Sequence, residues 1–209
     1  MLLTEQLPPR DPRFIPQPSE LCMLATKWDC TVPAGGLIVQ EKIDGIRALW
    51  FDGQLWTREG TPILGVAHVT ADLRAIERRA GEPLFLDGEL QVDGTLAATT
   101  RHFRAAGRYG DAGLLHLFDA LPLADWKADA YDLPLGARLQ RLEHALGDER
   151  GASVRLLPSR LCGCAATVLA HAAAVWAHGG EGSVGKVAGS AYRRRRSSAW
   201  CKVKRVVGR

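Results

Sequence analysis

In the stretch VQEKIDGIRALW, Val39 to Trp50, a lysine, an aspartate, a glycine and an arginine interrupt an otherwise apolar run. Leu37, Ile38 and Val39 precede the insert, and Ala48, Leu49 and Trp50 follow it. Lys42 is therefore expected where two strands nearly meet, close to a core. Desolvation in such a place disfavours the ammonium form and lowers its pKa. A lysine held as a neutral amine is a nucleophile. The same residues also fit a surface lysine that snorkels beside an Asp44-Gly45 turn. The motif alone leaves both readings open.

Other strand-like runs carry the same kind of interruption. FLDGEL sets Glu89 between Leu86 and Leu90, and LFDAL puts Phe118 and Asp119 at a strand end. EGSVGK holds Glu181 and Lys186, and WCKVK holds Lys202 and Lys204, two apart and so on one face of a strand. Repeated in order, these inserts describe strands that line a polar groove. Lysines on one face hold phosphates as point charges, and a carboxylate beside them can hold a divalent metal. Phe118 offers a flat surface for a base, although taken alone core packing is the preferred reading.

The elements that must position these groups are legible around them. IRALWFDGQLWTR (46–58) reads as a hairpin turning at Asp52-Gly53. VTADLRAIERRAG reads as a helix with Thr70 as N-cap and Gly81 as its stop. PLFLDGELQVDGTLA reads as a strand pair turning at Asp93-Gly94, and GLLHLFDAL (113–121) as a strand with one wet face. Leu135, Leu139, Leu142 and Leu146 recur at helical spacing and end at Gly147. SVRLLPS is a short strand, 164–178 an alanine-rich helix, and EGSVGKV and SAWCKVKR are strand-like. Hairpins interleaved with helices predict an α+β domain of mostly antiparallel sheets flanked by helices.

The chain of 209 residues, 46% hydrophobic and 24% charged, has the composition of a globular domain with a real core. No apolar run reaches the length of a membrane span, and the first twenty residues lack a secretory signal. Five cysteines, at 22, 30, 162, 164 and 201, complete no zinc pattern. They read as reduced thiols of a cytoplasmic protein. Residues 190–209 carry eight basic side chains and no acid, so with +4 overall the remainder sums to −4. A basic tail on an acidic body fits a nucleic-acid partner, or else a solvated charge run.

In order, KIDGIR, TREG, FLDGEL, LFDAL, EGSVGK and AWCKVK resemble the motifs of the covalent nucleotidyltransferases. That superfamily contains ATP-dependent DNA ligases, RNA ligases and mRNA capping enzymes, and the likeness is greatest to the DNA ligases. It implies an adenylation domain of the nucleotidyltransferase (ATP-grasp-like) fold over 21–209, behind a proline-rich leader at 1–20. It further implies an enzyme of DNA repair, replication or recombination that seals nicked duplex DNA through lysyl-AMP and AMP-DNA. ATP and Mg²⁺ or Mn²⁺ are the implied cofactors. Lys42 would be the nucleophile, with Asp44, Arg47, Lys186 and Lys202 completing the catalytic set. Glu41 would contact the adenine side, Glu89 the ribose, and Phe118 would stack on the base. Arg47 and Arg58 would hold the nucleotide or the 5′-phosphate, with Lys186, Lys202 and Lys204 on the phosphates and Glu181 on the metal. Arg193, Arg194, Arg195 and Arg196 would grip DNA. Ser183 and Gly185 stand where bulkier apolar residues are usual, predicting looser packing beside Lys186. No C-terminal OB barrel follows Lys204, which leaves room for a partner that supplies one. An RNA ligase, a capping-type guanylyltransferase, or a nucleic-acid-binding protein without turnover would carry related motifs.

Overall fold

The computed structural model describes residues 20–104, 112–147 and 153–205, so the expected leader lies almost wholly outside them. Two five-stranded sheets form the body. One contains β3 (Ile46–Phe51), β4 (Gln54–Thr57), β5 (Leu84–Gln91), β6 (Leu114–Pro122) and β7 (Val154–Leu156), in the order β4-β3-β5-β6-β7. The other contains β1 (Leu24–Lys27), β2 (Leu37–Glu41), β8 (Ser159–Cys162), β9 (Gly182–Val187) and β10 (Arg196–Lys204), in the order β1-β10-β9-β2-β8. Pairing is antiparallel except at β1–β10 and β6–β7, so both sheets are mixed and mostly antiparallel.

Alternation along the strands sorts their side chains into layers. Ala48, Trp50, Leu86, Leu115 and Leu117 face outward beneath α1 (Ala67–Ala80) and α4 (Leu135–Leu146). The stripe Leu135, Leu139, Leu142 and Leu146 is buried, as its spacing predicts. On the far side, Leu37, Val39, Cys201 and Val203 pack under Val168 and Ala172 of α5 (Ala165–Ala177). An aromatic core lies between the sheets, where Phe85 and Trp126 of α3 (Leu123–Ala128) stack at 4.7 Å and 7°. Such a pair contributes about 1 kcal/mol beyond its area.

Several local expectations are corrected. Thr70 lies inside α1 rather than capping it, and its hydroxyl bonds back to the Ala67 carbonyl. The helix begins earlier because buried Val66 already belongs to its apolar stripe. Gly81 does end it, in the left-handed conformation. The turn at Asp93-Gly94 exists but leads into α2 (Leu96–Arg104), not a second strand. Thr99 explains this: its hydroxyl receives the Val92 N–H at 2.8 Å and donates to the Thr95 carbonyl, seating the helix on the end of β5. β6 is buried on both faces over much of its length, and Phe118-Asp119 lies within it, not at its end. The register between β5 and β6 shifts at Asp87/Gly88. This bulge brings Phe118 and Asp119, consecutive residues, both to the inner face.

Candidate active site

The segment 42–45 carries the chain from β2 in one sheet to β3 in the other. Its main chain is tightly seated. The Lys42 N–H donates to the Gly182 carbonyl at 2.9 Å, and a Cβ on Gly45 would stand 2.4 Å from the Leu90 carbonyl oxygen. Glycine at 45 is thus required by close approach to β5, which explains the motif's Asp-Gly better than a free surface turn does.

Lys42 opens into a cavity of about 400 Å³ with walls from both sheets. Ladder register puts Gln40 of β2, Val184 and Lys186 of β9, and Trp200 and Lys202 of β10 on one inner face. Arg47 of β3, Glu89 of β5 and Phe118 of β6 face them. Arg58 and Glu59, an exposed ion pair, form the rim. Lys42 is ion-paired with Glu181, whose other oxygen accepts from Lys204 at 2.6 Å.

The buried charges are strongly perturbed. Burial pushes the Glu89 carboxyl up to about 7, against the opposing pull of Arg47 and Lys42. Burial also lowers the Lys186 ammonium to about 7, although Asp119 and Asp87 favour its charged form. Lys186 is 2% exposed, donates to the Phe118 carbonyl at 2.9 Å, and lies 4.3 Å and 4.1 Å from the Phe118 and Trp200 ring centres. Burial, then Lys42 and Lys204, lower Lys202. Burial works to raise Glu181, but hydrogen bonds from Lys204 and Lys42 prevail and hold it below the ordinary carboxylate range.

A second tier fixes these groups. Arg47 makes two bonds to the Asp87 carboxylate, which also accepts from the Tyr192 hydroxyl at 2.6 Å. Asp119, turned inward by the bulge, binds Arg138 of α4 through both oxygens. Arg138 donates in turn to the Leu133 and Ser190 carbonyls, so Phe118 sits on a strand anchored to α4 and to the segment before β10. Two of the lining residues each hold a buried polar atom with no hydrogen-bond partner, Gln40 Oε1 and Trp200 Nε1.

The model of the ATP-dependent DNA ligase domain matches residues 22–204. The chain belongs to this family. The ligase fold recurs in solved structures. Pmar-Lig_PreS3 superposes with a TM-score of 0.78 at 19% identity, over 89% of this chain. The present chain spans 46% of that one, about half its length. The ATP-dependent DNA ligase from bacteriophage T7, in complex with ATP, gives 0.70 at 18%, covering 88% of this chain and 68% of that one. The ligase domain of M. tuberculosis LigD gives 0.61 at 25%, covering 90% and 60%. No curated protein matches the chain in sequence.

Within this ligase domain the expected residues divide. Lys42, Arg47, Arg58, Glu89, Phe118, Lys186 and Lys202 share the cavity, and Glu181 and Lys204 adjoin it through the Lys42 ion pair. Glu41 contributes to the wall, yet alternation turns its side chain to the opposite face, where its Oε1 lies beside Gly180 and its charge acts on His171 of α5. Gln40, one residue earlier, takes the inward position. The period of two counted back from Lys42 would have selected it. Asp44 does not line the cavity; its carboxylate accepts from the Leu96 N–H at 3.1 Å and caps α2. Of the arginine run, Arg193 is ion-paired with Asp132, and Arg194 sits beside Asp129 and over the Trp126 ring at 5.3 Å. Arg196 donates to the Ala25 carbonyl, and Arg195 is exposed. Packing near Lys186 is not loosened: Ser183 is buried and bonded to His171 at 2.8 Å, and Cys201 and Leu37 crowd Gly185. All five cysteines are free, and none lines the cavity. No helix among the described residues is long and apolar enough to cross a membrane.

Proposed function

We propose that this chain is the catalytic domain of a DNA ligase that uses ATP to seal nicks in duplex DNA, through lysyl-AMP and then AMP-DNA. One observation carries the reading. Lys42 borders a cavity whose walls hold an aromatic ring and a set of cations. Those groups suit a nucleoside triphosphate. Phe118 offers the base an apolar surface. Glu89 is suited to ribose hydroxyls. Arg58, Lys186 and Lys202 supply charge for the phosphates, and Lys186 can take up a proton as an anion enters.

In the first step Lys42 gives up its proton to water and its amine attacks the α-phosphorus. The N–P bond forms, the bond to the β-phosphate oxygen breaks, and pyrophosphate leaves. Cations on the wall stabilise the developing charge. Lys42 then no longer pairs with Glu181, which leaves that carboxylate with Lys204. The described residues contain no cluster of three acidic, histidine or cysteine side chains, so a divalent ion would be held by Glu181 with phosphate oxygens and water. Such an ion would screen phosphate charge. Later steps transfer AMP to the 5′-phosphate of the nick and join the 3′-hydroxyl with release of AMP.

The test is covalent labelling. Incubation with α-labelled ATP and Mg²⁺ should add one AMP to the protein, and Lys42→Arg should take none, because arginine supplies no neutral amine. Lys42→Ala should still seal a nick that already carries AMP. Labelling of Lys42→Arg would remove Lys42 from the mechanism, and preferential labelling by GTP would move the protein to the capping type.

A further inference from the structure

We infer that duplex DNA runs along one face of α2, with Arg101 and Arg104 holding its phosphates and the apolar groove beside them meeting its sugars. This rests on the reading of the chain as a DNA ligase. Thr100, Arg101 and Arg104 lie on one face of the helix and border a shallow surface pocket. Thr100 and Arg104 also border a groove of about 570 Å³ against the segment after β4, where Ile63 and Leu64 contribute apolar surface and Leu64 is 69% exposed. That groove shares Ile46 and Glu59 with the lysine cavity, whose wall the first residue of α2, Leu96, also joins. The path from the nucleophile to the two arginines is therefore continuous.

Charge supports the assignment. Arg101 and Arg104 are exposed and have no ion-pair partner among the described residues. Within the run that looked basic in sequence, Arg193 and Arg194 are engaged with Asp132 and Asp129, whereas Arg195 is exposed like the two helix arginines. Exposed unpaired guanidinium groups beside an apolar groove match the alternation of charged phosphates and less polar sugar faces along a DNA strand. α2 is also held rigidly relative to the nucleophile, since Asp44, two residues from Lys42, caps it.

The experiment measures binding of the whole chain to a nicked duplex across a salt series, alongside AMP labelling without DNA. Each phosphate contact contributes about 0.9 to the log–log salt slope, so Arg101→Ala with Arg104→Ala should lower it by about 1.8. Between about 50 and about 200 mM salt the wild type should lose about twelvefold more affinity than the double variant. AMP labelling should be unchanged, and lysine at both positions should restore the slope. A wild-type slope in the alanine variant, with labelling intact in both, overturns the α2 assignment and leaves the ligase reading standing. A wild-type chain that takes no label and binds no duplex overturns both.

Discussion

Glu89 and Lys186 face one another across the cavity with opposite anomalies, and together they shape how stability depends on pH. Glu89 titrates at about 7 against an ordinary 4.5. Between those values the folded protein keeps a proton that the unfolded chain releases, so stability falls as pH rises through that window. Lys186 titrates at about 7 against 10.5. From 7 to 10.5 the unfolded chain binds the extra proton, so stability rises with pH. The two effects predict a minimum near neutrality for the protein without nucleotide. Urea unfolding of Glu89→Gln should lose the acid limb, worth about 3 kcal/mol, and Lys186→Met should lose the alkaline one. A Glu89→Gln profile that falls from pH 5 to 7 as steeply as the wild type would rule out Glu89 as the source. Nucleotide should lift the minimum, because phosphate favours the charged form of Lys186.

At the scale of elements, the crossing from β2 to β3 is held by Gly45 against the Leu90 carbonyl. Gly45→Ala should displace the crossing, destabilise the fold by about 2 kcal/mol, and abolish AMP labelling. Gly53→Ala meets no neighbour within 4 Å, although its φ is +72°, so it should cost about 1 kcal/mol and spare labelling. Thermal melts beside labelling separate the two, and equal labelling of both variants would discount the crossing. The comparison also marks what sequence could tell. The hairpin at Asp52-Gly53 and the leucine stripe of α4 were legible because local turn chemistry and periodicity decide them. α2 was not: TLAATTRHFR is rich in residues with weak helix preference, and the helix is secured from outside by Asp44 and by the Thr99 bonds to the end of β5. The inward pair Phe118-Asp119 depends on a register shift with no local signature. Glu41 borders the cavity, but the strand period turns the side chain of Gln40 inward in its place, a distinction the motif position does not carry.

Across the whole molecule the groups that line the cavity belong to two sheets of different origin in the chain. The motif order along the sequence made the ligase domain recognisable, because lysines and carboxylates carry their chemistry in their identity. The buried network of Arg47, Asp87 and Tyr192, and of Asp119 and Arg138, was less visible: its members are joined over separations from 19 to 105 residues. The sheet β4-β3-β5-β6-β7 draws its strands from one contiguous span, 46–156, whereas the other joins strands from 24–41 to strands from 159–204. β1 pairs with β10 alone, some 170 positions away. Closing so long a loop is slow and costly before its contacts reward it. A chain emerging from the ribosome can therefore assemble the contiguous sheet while β1 and β2 still lack partners. Pulse-labelled hydrogen exchange during refolding should find amides of β3, β5 and β6 protected before those of β1, β9 and β10; simultaneous protection would mean the sheets fold as one unit. Completion of the cavity then waits on the final strand, so a growing chain carries Lys42 early and acquires the groups that surround it last.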